Sequence, residues 1–221
     1  MGPRRPRVES QRVPDREPRR ARLRIDPSDL ALEIVSIVIA IILATVVGQL
    51  VEKHQADERT RAALTQIRQE VVRDHSVLRD VSTLHLTLRA AFDATIGQAR
   101  GEQLDFDAFA RTFRRAAPKG FHPFDGSTTA WDLARSSNAL EDLPYSLRAT
   151  LQTRYAELAQ LRSLNAALYS HFTSTPTDRR PNFFFTATAV LLTLGDVVAT
   201  EDRLARDDDA VLSALAARGI D

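Results

Sequence analysis

One uninterrupted run, Leu30 to Val51, constrains this chain more than any other feature: it is mostly Ile, Val, Leu and Ala, with Glu33 its single charge before Glu52. At about 1.5 Å of rise per residue, the run matches the roughly 30 Å hydrocarbon layer of a bilayer, where a helix satisfies its own backbone. The expected fold is all-α: one N-terminal transmembrane helix that continues into a long amphipathic helix, packed with later helices as a helical bundle.

The charges divide around that run. The whole chain carries 30 Lys+Arg against 29 Asp+Glu, yet residues 1–29 hold nine Arg and five acids, leaving 21 basic and 24 acidic residues beyond. Arg16, Arg19, Arg20, Arg22 and Arg24 precede the span, whereas Lys53, Arg59 and Arg61 follow it. The positive-inside bias then predicts a cytoplasmic N-terminus and a large domain on the periplasmic or extracellular side of an inner (cytoplasmic) membrane. A cleaved signal peptide is the competing reading. It would have a shorter apolar core and an Ala-x-Ala-like site, and Gly48-Gln49-Leu50-Val51 offers none. The chain has no cysteine, which excludes thiol chemistry and Cys-ligated metals.

Residues 1–25 form an Arg/Pro-rich head, too polar and too broken by Pro3, Pro6, Pro14 and Pro18 to fold. Such a head can attract nucleic acid or anionic lipid, but a solvated topology signal is the simpler reading, and no nucleic-acid partner is expected. The transmembrane helix is expected over 26–51, opened by Asp26 as N-cap with Pro27 in the first turn. Glu33 lies close enough to the cytoplasmic boundary to reach headgroups, so an interfacial role is preferred to a proton or ion relay. Ser36, Ala40, Ala44 and Gly48 recur every fourth residue. That small-residue face would allow close approach of a second helix, and a homo-oligomer through the span is one expected partnership beside the lipid bilayer itself.

The extracytoplasmic helical bundle is expected over 52–221. Its first helix, 52–98, meets no Gly or Pro until Gly97, and Leu64, Ile67, Val71, Leu78, Val81, Leu88 and Phe92 keep steps of three and four. Asp74 and His85 stand at the missing seam positions. Val77, Leu84 and Leu86 widen the stripe, which favours packing within the chain over a coiled coil with a partner. Short helices are expected near 105–116 and 129–138, the second opened by a Thr129/Asp132 capping box, with a structured turn over 121–127 between them. Long helices follow at 144–172 and 182–205, then a short one at 208–217. Phe183 to Ala199 raises the question of a second crossing, but Asp196, three Thr and acidic residues beyond it favour a buried core helix.

Glu33-Ile34-Val35 leading through Ala40-Ile41-Ile42-Leu43-Ala44, after a basic head, resembles the signal anchor of a bacterial family of single-pass membrane proteins of unknown function. Downstream, Phe121-His122-Pro123-Phe124, then Thr129-Ala130-Trp131-Asp132-Leu133 through Ser136, Leu140 and Leu147 to Tyr155, is similar to that family's F-x-P turn, aromatic-x-x-Leu-x-x-Ser helix and following Leu/Tyr helix. The family follows its anchor with Asn, Gln and Trp, where this chain has Val46, Val47 and Gly48. The resemblance covers residues 25–160. It implies a membrane-tethered helical domain with no assigned activity and no catalytic residues.

Chemistry-bearing motifs are sparse. The five histidines form no H-E-x-x-H pair, and neither a Gly-rich phosphate loop nor a G-x-S-x-G elbow is present, so no enzyme, catalytic residue, metal or cofactor is expected. His122 with Asp125 is the nearest polar constellation, and an Asp-capped turn explains it. Asp74 and Asp196 are expected to pair with an arginine such as Arg114, Arg135 or Arg154. Trp131 is either a ligand or partner anchor or a core filler, the latter preferred. The function expected from these residues is a membrane-anchored structural or interaction module that engages an unidentified membrane or periplasmic protein. A ligand-sensing domain that signals through a partner is the alternative.

Overall fold

The computed structural model describes residues 27–99, 104, 106–174 and 183–220. The 1–25 head, the Asp26 cap and residues 100–103, 105, 175–182 and 221 lie outside the described residues, as does the side chain of Glu33. The protein is all-α, with five helices and no strand among the described residues: α1 (Pro27–Gln98), α2 (Phe106–Ala116), α3 (Thr129–Ser136), α4 (Tyr145–Ser174) and α5 (Phe183–Ala216). It divides into two compact units at Val51/Glu52.

Within the first unit, residues 35–50 of α1 are helical and exposed throughout. Thr45 Oγ1 donates to the Ile41 carbonyl at 2.9 Å, so this hydroxyl is satisfied within its own helix. By length and composition the helix can cross a membrane.

The second unit is a four-element antiparallel bundle. The 52–98 stretch of α1 and α4 run the same way, and α5 runs against both: His85 meets Glu201, while Asp74 and Arg154 meet near Asp208. The fourth element is the interrupted stretch from α2 to Leu143, which descends along α1. Phe92 stacks on Phe109 at 4.2 Å, His85 on Phe121 at 4.6 Å, Asp74 accepts from the Ser127 amide, Glu70 from the Ala130 amide, and Thr60 donates to the Ala139 carbonyl.

Periodicity explains why three of the elements are long. Buried positions fall at Leu64, Ile67, Val71, Asp74, Leu78, His85, Leu88 and Phe92 on α1, at Leu147, Leu151, Arg154, Leu158, Leu161, Asn165 and Leu168 on α4, and at three- and four-residue steps from Phe183 to Leu215 on α5. Alternating steps of three and four keep one stripe facing the partners, the geometry of left-handed bundles. Each fully buried Leu contributes about 1.5–3 kcal/mol relative to exposure.

Four expectations need correction. The two helices expected at 182–205 and 208–217 are one continuous helix, because the seam carries through Glu201, Leu204, Asp208, Val211 and Leu215 and the acidic triplet donates Asp208 to the core. Val77 and Leu86 are exposed, so only Leu84 of the three widening residues packs against the core. Asp196 is exposed rather than paired in the core. The Thr129/Asp132 capping box does not form: Thr128 is the N-cap position, with no side-chain cap bond, and the Ala130 amide donates to Glu70 of α1 while the Thr129 amide donates to Ser127 Oγ. Helix α3 ends at Ser136, close to the expected boundary near 138. Asn138 adopts φ 57°, and the bonds Ala139 N–H to Ala134 O and Asn138 N–H to Arg135 O close a Schellman motif.

Candidate functional site

The interrupted element poses a backbone problem. Residues 117–128 are not helical, yet Phe124 is buried and the segment lies along the bundle, so its amides and carbonyls need partners that no ladder supplies. Polar side chains from α1 and α4 supply them. Asn165 Nδ2 donates to the Phe124 carbonyl at 3.0 Å, and Arg162 donates to the carbonyls of Asp125 and Gly126 at 2.5 and 2.9 Å. Asp74 Oδ2 accepts from the Ser127 amide at 2.9 Å, and Glu70 Oε2 accepts from Ser127 Oγ at 2.6 Å and from the Ala130 amide at 2.9 Å. Gly126 is required at its place: its φ is +49°, and a Cβ would come within 2.7 Å of Leu158 Cδ1.

Arg154 is the hub of this layer. Fully buried, it donates from Nη2 to Asp74 Oδ2 at 2.7 Å and from Nε to Asp208 Oδ1 at 2.9 Å, and its Nη1 reaches the Ser127 carbonyl at 3.5 Å. One guanidinium thereby joins α1, α5 and the connecting segment. Burial works against its charge, but the attraction of Asp208 and the bonds to Asp74 and Asp208 outweigh it and hold the pKa above the ordinary value. Burial pushes the Asp208 carboxyl up despite the opposing pull of Arg154. Tyr155, whose hydroxyl donates to Glu70 Oε1 at 2.7 Å, is likewise raised by burial, against the pull of Arg154.

A second polar layer sits about three turns along α1 and two along α5. His85 Nδ1 and Glu201 Oε1 are 2.7 Å apart with both side chains fully buried, and the imidazole is stacked on Phe121. Most groups of both layers are engaged with each other or with the backbone of residues 124–130, while His85 Nε2, Glu201 Oε2, Asn165 Oδ1 and Asp208 Oδ2 are buried with no hydrogen-bond partner among the described residues, the last with His75 Nδ1 3.6 Å away.

An open groove of about 420 Å³ lies on the α3/α4 side of the same unit. Its floor is Trp131, stacked on Tyr155 at 4.7 Å, and the guanidinium carbon of Arg135 stands 5.8 Å from the indole centroid. Arg148 lines the far wall. Its Nη2 donates to the carbonyls of Glu141 and Leu143, which pins the guanidinium at the α3–α4 turn.

The residues singled out from sequence fall in separate places. Ser36, Ala40, Ala44 and Gly48 are exposed on α1, and no described atom would come within 4 Å of a Cβ at Gly48. His122 and Asp125 are both exposed, and it is the carbonyl of Asp125 that is engaged, by Arg162. Trp131 is buried against Tyr155 while its ring forms the groove floor. Asp74 pairs with Arg154, one of the three arginines expected for it. Glu70, Asn165, Glu201 and Asp208 escaped notice. Asn165, Glu201 and Asp208 share one legible signal, a polar residue standing where the three/four spacing demands an apolar one. Among the described residues, no group of three or more His, Asp or Glu side chains is arranged to hold a metal ion. Compared with known protein families, curated proteins and solved structures, the chain matches none.

Proposed function

We propose that the protein is a single-pass, membrane-anchored helical module that holds a partner protein at the membrane surface. One observation carries the reading: the most apolar window of α1 is 0 % buried, whereas the stretch of the same helix beyond Glu52 packs its seam into a bundle. Apolar surface left uncovered over a bilayer-length run is stabilised by lipid. The resemblance of Glu33-Ile34-Val35 and the following run to bacterial signal anchors agrees with this reading, and the arginine-rich head supports a cytoplasmic N-terminus with the bundle in the periplasm or outside the cell. Ser36, Ala40, Ala44 and Gly48 offer a face for self-association of the span. The module is not an enzyme on this reading, since its buried titratable groups are committed to packing.

The test is crosslinking in intact membranes followed by mass spectrometry. Reproducible crosslinks from residues 52–220 to one heterologous membrane or periplasmic protein are the expected result. Self-crosslinks alone, or none, would remove the scaffold reading.

A second reading, an extracytoplasmic domain that senses a ligand and signals through a partner, is favoured by the groove beside Trp131. Its volume falls within the range typical of small-molecule sites.

A further inference from the structure

The groove between α3 and α4 combines a rigid aromatic floor with an unbalanced pair of cations. Trp131 cannot tilt, because Tyr155 lies stacked beneath it and the Tyr155 hydroxyl is tied to Glu70. Arg135 and Arg148 face the groove, and neither has a carboxylate within 4 Å among the described residues. Arg148 is held by two neutral backbone carbonyls and has donors to spare. Among the described residues Glu141 is the one acid lining the groove, and α4, which starts beside it, has no acidic residue in its first turn to offset the positive end of the helix. Asn138, fixed at the α3 terminus, and Gln152 add neutral donors and acceptors.

From this arrangement we infer that the groove binds a small planar anion, an aromatic or conjugated carboxylate whose ring lies on Trp131 and whose carboxylate bridges Arg135 and Arg148. The inference deepens the sensing reading by naming the ligand class. Ring stacking needs the flat indole, and a carboxylate suits the planar guanidinium fork, whereas a cation of the same shape would meet two like charges. A non-planar anion would forgo the indole.

The chain has one tryptophan, so intrinsic fluorescence reports on the groove directly. Full-length protein in lipid nanodiscs is titrated with 4-nitrobenzoate, with 4-nitrobenzylamine as the planar cation and with inorganic phosphate as the non-planar anion, and lifetimes separate static from collisional quenching. Saturable static quenching by 4-nitrobenzoate, at least about tenfold tighter than the amine, supports the site, the ratio expected for one charge-assisted hydrogen bond gained or lost. Arg135→Gln weakens it about tenfold while leaving the melting curve unchanged, since Arg135 is exposed. Glu141→Gln tightens it. Arg148→Gln is a further test where its melting curve stays intact. Unsaturable quenching, equal binding of the amine, or affinity unaltered in both Arg135→Gln and Glu141→Gln would overturn the inference. Phosphate binding that competes with 4-nitrobenzoate equally well in Trp131→Phe, read by calorimetry, would also overturn it, by reducing the site to bare charge. If 4-nitrobenzoate binds as expected yet leaves the crosslinks of the bundle unchanged at saturation, the sensing reading falls and the site stands.

Discussion

Two apolar stretches of this chain satisfy the same length and composition test for crossing a membrane and meet opposite fates. In α1 none of the most apolar window is covered, while in α5 39 % of it is, with Ala187, Val190, Leu194 and Val197 turned into the bundle and Phe185 and Leu192 left outside. Mean hydropathy is a property of composition, whereas burial depends on whether a second surface has a matching stripe. The α5 stripe repeats every three or four residues and finds α4 and α1. The α1 window is apolar on all sides, and such a helix needs an apolar environment all round.

Substitutions on each stretch can break that contrast. Leu194→Asp buries a carboxylate without a partner and removes an apolar side chain that is 1 % exposed, and it is expected to cost about 4–5 kcal/mol or more, enough to unfold the bundle in a circular dichroism melt. Leu192→Asp, two residues away but 66 % exposed, should shift the same melt by no more than about 0.5 kcal/mol. Equal effects at the two positions would mean that α5 is not packed by this face.

The polar layer bears on why α5 belongs to the bundle. Arg154→Ala leaves Asp74 buried without its cation and Asp208 with only His75, 3.6 Å away, and strips a partner from the Ser127 carbonyl, a loss expected at about 3–5 kcal/mol by denaturant unfolding. In the uncovered window the expectation reverses. Ile39→Asp should leave the melt of the 52–220 bundle unchanged while disfavouring membrane insertion by about 2.5–3.5 kcal/mol, read by alkaline extraction of membranes. A melt that moved with Ile39→Asp would show that the window is covered by protein after all.

The smallest effect sharpens the contrast through pH. Because the Asp208 carboxyl is raised in the folded state, mainly by burial, its contribution is fully present below the ordinary carboxylate pKa and is lost as pH rises through the raised one. The stability of the wild type relative to Asp208→Asn should therefore fall between acid and neutral pH. A difference that is flat or grows with pH, in melts at matched ionic strength, would contradict the assignment.

Much of this architecture can be read in the order of residues. The three/four spacing of Leu64, Ile67, Val71, Leu78, Leu88 and Phe92 marks the buried face of α1 with no knowledge of its partners, and the absence of Gly and Pro from Val51 to Ile96 lets that helix run on. Asp74 and His85 were visible as exceptions to the spacing. Their partners were only partly so, because a seam position states that a side chain is buried and says nothing of which distant residue it meets. The α3 start shows the limit well: Thr129 and Asp132 form the right local pattern, yet Glu70, 60 residues earlier, takes the Ala130 amide. The break expected within α5 fails for a related reason, since three consecutive acids look like a surface turn until Arg154 is known to receive the middle one.

Helix type, the run of α1 and the two apolar windows were thus written into local order, because backbone propensity, side-chain period and chain-breaking residues act over one or two turns. The pairing of Arg154 with Asp74 and Asp208, the capping of α3 from α1, the Schellman end at Asn138 and the groove it borders were settled by packing. Those features depend on which groups lose water together, and groups far apart in the chain share a desolvated site only once the bundle has closed around them.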